Sequence, residues 1–167
     1  MLDIYTLGED VLRTKAEKIT DFDQSLSILV DAMFDTMDEA DGVGLAAPQI
    51  GVSKRIFVID TRKDKERIAF VNPVIIETSQ NTVSYEEGCL SIPTMYTQIV
   101  RPAEVTVQAQ DVKGKSFVLK ATGLLARAIQ HEYDHLEGVL FIDRMEQQER
   151  DALVAAYQRR QKKRKHK

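Results

Sequence analysis

The stretch TGLLARAIQHEYDHLEG, residues 122–138, decides what fold this chain must build. Its apolar residues recur at helical period, with Thr122 placed as an N-cap and Gly138 as the stop beyond the last turn. On that helix His131 and His135 stand one turn apart on one face, so both imidazoles can reach a common ion. Ala128 and Leu124 run back along the same stripe, which makes this the buried face. Glu132 lies beside the stripe, next to Ile129 and Leu136, where a carboxylate can face a metal-bound water without ligating the ion. The pattern predicts a helix that carries a metal site into a core and needs other elements packed around it.

Those elements can be read outward from it. Residues 23–40, DQSLSILVDAMFDTMDEA, place Leu26, Leu29, Val30, Met33, Phe34 and Met37 at helical spacing with acids opposite, an amphipathic helix whose Met and Phe stripe is core. The glycines and proline of DGVGLAAPQIGVSKR (41–55) exclude regular helix. RIFVID (55–60), AFVNPVIIE (69–77) and EVTVQAQD (104–111) read as strands. SFVLKA (116–121) pairs back across a turn at Gly114, with Val105, Val107 and Ala109 on one face. Asn72-Pro73 should bend or end its strand. A last helix is expected from about Asp143 to Arg160, carrying Leu153, Val154 and Tyr157, before a basic tail at about 159–167. The order of helix, strands, helix gives an α+β fold with antiparallel or mixed sheets around the metal-binding helix, and helices towards both termini. No repeat or linker divides residues 1–167, so a single domain is expected.

Composition narrows the function classes. No apolar run approaches the ~18 residues that would span a bilayer. The N-terminal MLDIYTLGEDVLR lacks the basic-then-apolar block of a secretory signal. Cys89 is the only cysteine, which excludes an intrachain disulfide and suits a reducing, cytoplasmic setting. The formal net charge of −3 hides an asymmetry: RRQKKRKHK (159–167) holds seven Lys or Arg, leaving 16 basic against 26 acidic side chains elsewhere. An acidic body does not suit nucleic acid over its whole surface, whereas the tail can meet an anionic partner or be a solvated, frayed end.

Two histidines do not complete a metal site. The thiolate in EEGCLS (86–91) is a strong choice for Zn²⁺ or Fe²⁺, although a free cysteine is often only buried. If Cys89 ligates, three protein ligands leave one open position, the catalytic pattern, where a bound water has its pKa lowered towards ~7. Glu132 can take the proton of that water and return it to a leaving amine. Attack on a carbonyl develops an oxyanion, for which GVGLAAPQ (42–49) offers closely approaching backbone and the Gln49 amide. Alone, that loop is weak: no GK[ST] follows, so it is not a phosphate loop.

Taken together, GVGLAAPQ (42–49), EGCLS (87–91) and HEYDH (131–135) closely resemble the GxGxAAxQ, EGCxS and HExDH motifs of bacterial peptide deformylases, in the same order. LGEDVLRTKAE (7–17) is similar to the family's opening, so the likeness runs to about residue 145. The resemblance implies that Cys89, His131 and His135 are the metal ligands and Glu132 the general acid/base. It implies that the Gln49 amide and the Leu90 N–H hold the formyl oxygen. It implies hydrolysis of the N-formyl group of formylmethionine on newly made peptides, releasing formate. The implied ion is Fe²⁺ in the cell, which Zn²⁺, Ni²⁺ or Co²⁺ can replace in purified protein. An extended peptide would pair with the backbone of Gly42, Val43 and Gly44 and pass Gly88. Its methionine side chain would enter a pocket made by Val43, Leu124, Ala128 and the His131 ring edge. Glu87 needs a counter-ion, for which Arg101 is a candidate. Arg127 and Tyr96 fall where family members vary, leaving further side-chain selectivity open. A monomer is expected, with the basic tail a candidate contact to the ribosome.

Two rival readings make different demands. A zincin-type peptidase would take its third ligand downstream, from Glu146, Glu149 or Asp151. A ribosome- or RNA-associated domain with a vestigial metal fold would not need Glu132 at all.

Overall fold

A computed structural model describes residues 2–165. In chain order the elements are α1 (Gln24–Glu39), β1 (Gly44–Ala46), β2 (Ile56–Asp60), β3 (Arg67–Thr78), β4 (Thr82–Cys89), β5 (Ile92–Pro102), β6 (Glu104–Gln110), β7 (Ser116–Thr122), α2 (Gly123–Leu136) and α3 (Gln147–Lys165). Short 3-10 turns stand at Asp10–Arg13, Ala47–Ile50 and Phe141–Arg144. Five strands form one sheet in the order β1-β2-β3-β6-β7, with antiparallel neighbours throughout. Strands β4 and β5 form a separate antiparallel hairpin.

The continuous apolar run of β2 follows from burial on both faces. Phe57 and Ile59 pack with Phe70, Val107, Leu125 and Ile129 on the α2 side. Ile56 and Val58 pack with Leu26, Val30, Met33 and Met37 of α1 on the other. A third cluster joins Ile92, Met95 and Ile99 of β5 to Leu12, Phe141 and Tyr157, and so ties the hairpin to both ends of the chain.

Helix α2 is clamped between the large sheet and the hairpin, and is therefore buried almost all round. Leu125, Ala126 and Ile129 belong to the sheet-side core. Arg127, Gln130, His131, Glu132, Asp134 and His135 are also buried, an unusual set of polar side chains for a helix interior. Gly138, at φ 74°, turns the chain out of the helix. A side chain there would also press on the Arg13 backbone, 2.7 Å from where its Cβ would stand.

Several expectations needed correcting. The last helix starts at Gln147 rather than Asp143, because Phe141–Arg144 forms a 3-10 turn in which Asp143 accepts from the Leu140 N–H at 2.9 Å. It does not dissolve at Arg160: residues 159–165 continue it, while residues 166 and 167 lie outside the described range. Lys and Arg are good helix formers, and at a helix C-terminus their charge complements the macrodipole. Arg160 also anchors this turn, donating to the carbonyl and hydroxyl of Thr94 at 3.2 and 3.0 Å. Thr122 occupies the N-cap position of α2 but makes no capping bond with its side chain. Leu124 does not extend the buried stripe; it is 40% exposed at the first turn.

Asn72 bends β3 without ending it. It takes φ 50° where the pairing with β6 slips between Val71 and Val74. Its side chain accepts from the Ile19 N–H and donates to the Ile19 carbonyl and to Gln110, each at 2.8–2.9 Å. Strands β4 and β5 were not anticipated, although Met95, Ile99 and Arg101 are buried at strand period between exposed neighbours.

Candidate metal centre and catalytic cleft

Three separate elements converge on one point. β1 and the following 3-10 turn bring Gly42–Gln49, the end of β4 brings Cys89, and α2 brings the histidines. Ligand atoms of Cys89, His131 and His135 all lie within 4.8 Å of one another, the cluster of metal-ligating groups found among the described residues. Cys89 Sγ is 3.3 Å from His135 Nε2. The strand pairing slips between Gly88 and Cys89, and Leu90-Ser91 turns the chain directly back into β5, so the thiol stands at a hairpin tip. Glu149 and Asp151 sit on α3 and Glu146 just before it, outside this cluster.

The surroundings fit a cation. His131 Nδ1 is 2.9 Å from Glu87 Oε1, so in the neutral ring Nδ1 carries the proton and Nε2 keeps its lone pair for an ion. Burial opposes a charged His131 ring, but Glu132, Cys89 and Glu87 outweigh it and raise its pKa well above the usual value. A divalent cation satisfies the same negative surroundings. His135 goes the other way: burial and the neighbouring His131 push it well below the ordinary range, so it stays neutral and able to ligate. Two buried polar atoms here, His135 Nδ1 and Glu132 Oε1, have no protein hydrogen-bond partner.

Glu132 is 5% exposed, and Gly44 packs flat against it. A Cβ at residue 44 would stand 2.7 Å from Glu132 Oε2. Burial raises the Glu132 pKa to about 7, with His131 pulling it down and Glu87 adding to the rise. A carboxyl poised there can take and return a proton near neutrality. Gln49 is held at both ends. Its Oε1 accepts from the Ala46 N–H at 2.9 Å, while Nε2 donates to Ser91 Oγ at 3.1 Å and lies 3.5 Å from Cys89 Sγ.

Behind His131 runs a buried charge network. Arg101 donates to both oxygens of Glu87, at 2.6 and 3.0 Å, and to Asp134 at 2.9 Å. Arg144 closes on the other side of Asp134 at 2.8 Å. Burial would raise the Glu87 pKa, but hydrogen bonds from His131 and Arg101 prevail and lower it to about 2.

A cavity of about 530 Å³ is lined by Gly42, Val43, Gly44, Gln49, Glu87, Gly88, Cys89, Leu90, Leu124, Ala128, His131 and Glu132. Every site residue expected from the sequence thus borders one cleft, except His135, which is buried behind it. The polypeptide deformylase family model matches residues 1–151. The chain belongs to that family. Its similarity to the peptide deformylase of Treponema pallidum strain Nichols is 46% identity over 93% of this chain and 95% of that one. For the Halothermothrix orenii peptide deformylase the values are 48%, 87% and 94%. A crystal structure of a peptide deformylase from Legionella pneumophila superposes with a TM-score of 0.93 at 43% identity, over 100% of this chain and 99% of that chain.

Within this deformylase fold, sequence reasoning missed the parts played by Asp134, which accepts from Arg101, and Ser91, which accepts from Gln49, and it read Arg127 only as a variable position although its guanidinium also donates to Glu87. Arg127 had a readable signal, since it precedes His131 by one turn on the same buried face. The partnership of Arg101 with Glu87 was anticipated, and the geometry is bidentate.

Proposed function

We infer that this chain is a metal-dependent hydrolase that removes the N-formyl group from the N-terminal formylmethionine of newly made polypeptides. The observation that carries the reading is the meeting of Cys89, His131 and His135 within ligand distance of one another, in a cleft that also holds Glu132. In this reading the thiolate and the two imidazoles hold one ion, Fe²⁺ in the cell, with Zn²⁺, Ni²⁺ or Co²⁺ able to replace it. Bound there, the ion supplies Lewis acidity and makes water more acidic.

The chain's own groups do the rest. An extended peptide pairs its backbone with Gly42–Gly44 and passes Gly88, as in strand addition. The methionine side chain enters between Val43, Leu124 and Ala128. The Gln49 N–H that faces Cys89, together with the Leu90 N–H, donates to the formyl oxygen as negative charge develops on it. Glu132 takes a proton from the attacking water as the new C–O bond forms. It then delivers that proton to the amide nitrogen as the C–N bond breaks, leaving formate and a free amino terminus. Glu87 keeps His131 oriented through all of this.

No described helix is long and apolar enough to cross a membrane. We place the enzyme in the cytoplasm, as a monomer whose single domain ends in a basic helix. Lys162, Lys163, Arg164 and Lys165 are candidates for the ribosome contact. Arg160 is not among the free charges, since it is bonded to Thr94. Replacing those four by Gln should weaken co-sedimentation with ribosomes and spare hydrolysis of free peptide.

The deciding experiment incubates anaerobically purified protein with formyl-Met-Ala-Ser and acetyl-Met-Ala-Ser, measuring released amine and bound metal. Preferential cleavage of the formyl peptide by metal-loaded protein is expected. Equal rates on the two, or cleavage without metal, would overturn the reading.

A further inference from the structure

We propose that Arg127 is the wall that limits how long a side chain the substrate pocket accepts. This inference rests on the deformylase reading above, because it concerns the pocket that takes the residue bearing the formyl group.

A second cavity, of about 330 Å³, adjoins the catalytic cleft. Tyr85, Leu124 and Arg127 line both, so these three side chains are the partition between them. Val83 and Pro102 border the second cavity only. Of the partition residues, Tyr85 and Leu124 are exposed, whereas Arg127 is 9% exposed and tightly held. Its Nη1 donates to Glu87 Oε2 and to the Ile99 carbonyl at 3.0 Å. Its Nη2 donates to the Val83 carbonyl at 2.7 Å. The guanidinium also lies 5.7 Å from the centre of the Tyr85 ring.

A cation bonded at once to β4, β5 and Glu87 cannot swing aside cheaply, since moving it would strip donors from three acceptors. Arg127 borders both cavities, and its methylene stem gives that partition an apolar part. A side chain of methionine's length ends against that surface. A longer straight chain must either stop short, lifting its amide away from Glu132, or push through towards Val83. The length limit is therefore set by a residue that needs no contact with the reacting bond. Arg127 is a specificity-determining residue, distinct from the groups that move protons.

The test compares formyl-Met-Ala-Ser with the same peptide carrying a straight eight-carbon side chain in place of methionine's. The readout is the ratio of kcat/KM for the two substrates. Wild type should favour methionine strongly. Arg127→Ala joins the two cavities, and the ratio should move towards the long chain by about tenfold or more, the scale of discrimination that one methylene of pocket length provides. Arg127→Lys keeps most of the bulk and should hold the ratio near wild type. Adding Val83→Trp to Arg127→Ala refills the second cavity and should restore the methionine preference. Should Arg127→Ala fail to fold, Arg127→Leu shortens the wall while preserving apolar packing, and the ratio should move in the same direction. A purely structural role would lower both substrates together, and an unchanged ratio in the folded variants overturns the proposal. Failure of wild type on formyl-Met-Ala-Ser would instead sink the deformylase reading, so the two failures are distinguishable.

Discussion

Glu87 and His131 are joined by a 2.9 Å hydrogen bond from the ring Nδ1 to the carboxylate, and the same carboxylate is gripped by Arg101 through both of its oxygens. A glutamate from the hairpin thereby orients a histidine of the helix, and Asp134, three residues beyond that histidine, steadies the arginine that holds the glutamate. The candidate metal centre is backed by one continuous set of buried charges.

Replacing Glu87 by Gln keeps its shape but weakens the hold on His131 Nδ1 and the basicity of the ring. Metal affinity should fall by about 10–100-fold, the usual cost of losing such a partner. Competition with a calibrated chelator measures it, and an affinity equal to wild type would refute the orienting role.

Arg101→Met leaves Glu87 and Asp134 buried with one fewer cation between them. Breaking a buried pair from one side costs about 3–5 kcal/mol. Because Arg127 and Arg144 remain, the lower end of that range is expected in urea unfolding. A variant as stable as wild type would mean that the network contributes geometry alone.

Glu132→Gln removes the proposed proton carrier without touching a proposed ligand. The rate constant kcat should drop by about 10²–10⁴-fold while metal content is unchanged. Loss of the ion from this variant would count against the assignment of Glu132 as a group outside the coordination set.

Gly44→Ala tests the close approach of backbone to the carboxylate proposed as catalytic. The new Cβ would stand 2.7 Å from Glu132 Oε2, so the carboxylate must shift. A displacement near 1 Å can cost on the order of 100-fold, and kcat/KM should fall on that scale with the circular-dichroism spectrum preserved. Full activity in the folded variant would show that Glu132 has room to spare.

Asp143 connects distant parts of the chain, accepting from Arg13 near the N-terminus and pairing with Arg150 of α3 at 3.1 Å. Burial would raise its pKa, but the Arg13 bond and the Leu140 N–H win and lower it. Its folded pKa thus lies below the unfolded value of about 3.9, so its stabilisation is complete above that pH and is lost as pH falls through the folded value. Asp143→Asn should destabilise at pH 7 in urea unfolding, with the gap from wild type starting to close below about pH 4 and vanishing only once pH falls below the folded pKa. A gap of constant size across that range would contradict the assignment.

Much of the site was legible because its chemistry depends on rare residue types. Two histidines one helical turn apart with a glutamate beside the first already specify a metal-facing helix. The single cysteine in EGCLS and the GVGLAAPQ loop narrow the reaction further. The α1 stripe and the β6–β7 hairpin were equally readable, since each buries one face and so repeats with the period of its backbone. The β4–β5 hairpin escaped because Glu86, Glu87 and Gly88 interrupt the apolar alternation that marks a strand. The true extent of α3 escaped because its basic end carries no apolar period at all.

By itself, the sequence determined the candidate reactive groups, the helix that carries His131, Glu132 and His135, and the class of fold needed to bury that helix. Only the tertiary structure decided which distant charges support the site and where the pocket ends. Glu87, Arg101 and the helix pair His131 and Asp134 come from three elements; the sequence offers Arg101 as a counter-ion for Glu87, but no local spacing says that this pair meets His131 and Asp134. Arg127 likewise reads as a variable position beside the motif until the hairpin closes over it and supplies the carbonyls of Val83 and Ile99. The physical reason is that side-chain type and helical period are local properties. Buried charge pairing and cavity boundaries instead arise from contacts between segments, which exist only once the chain has packed.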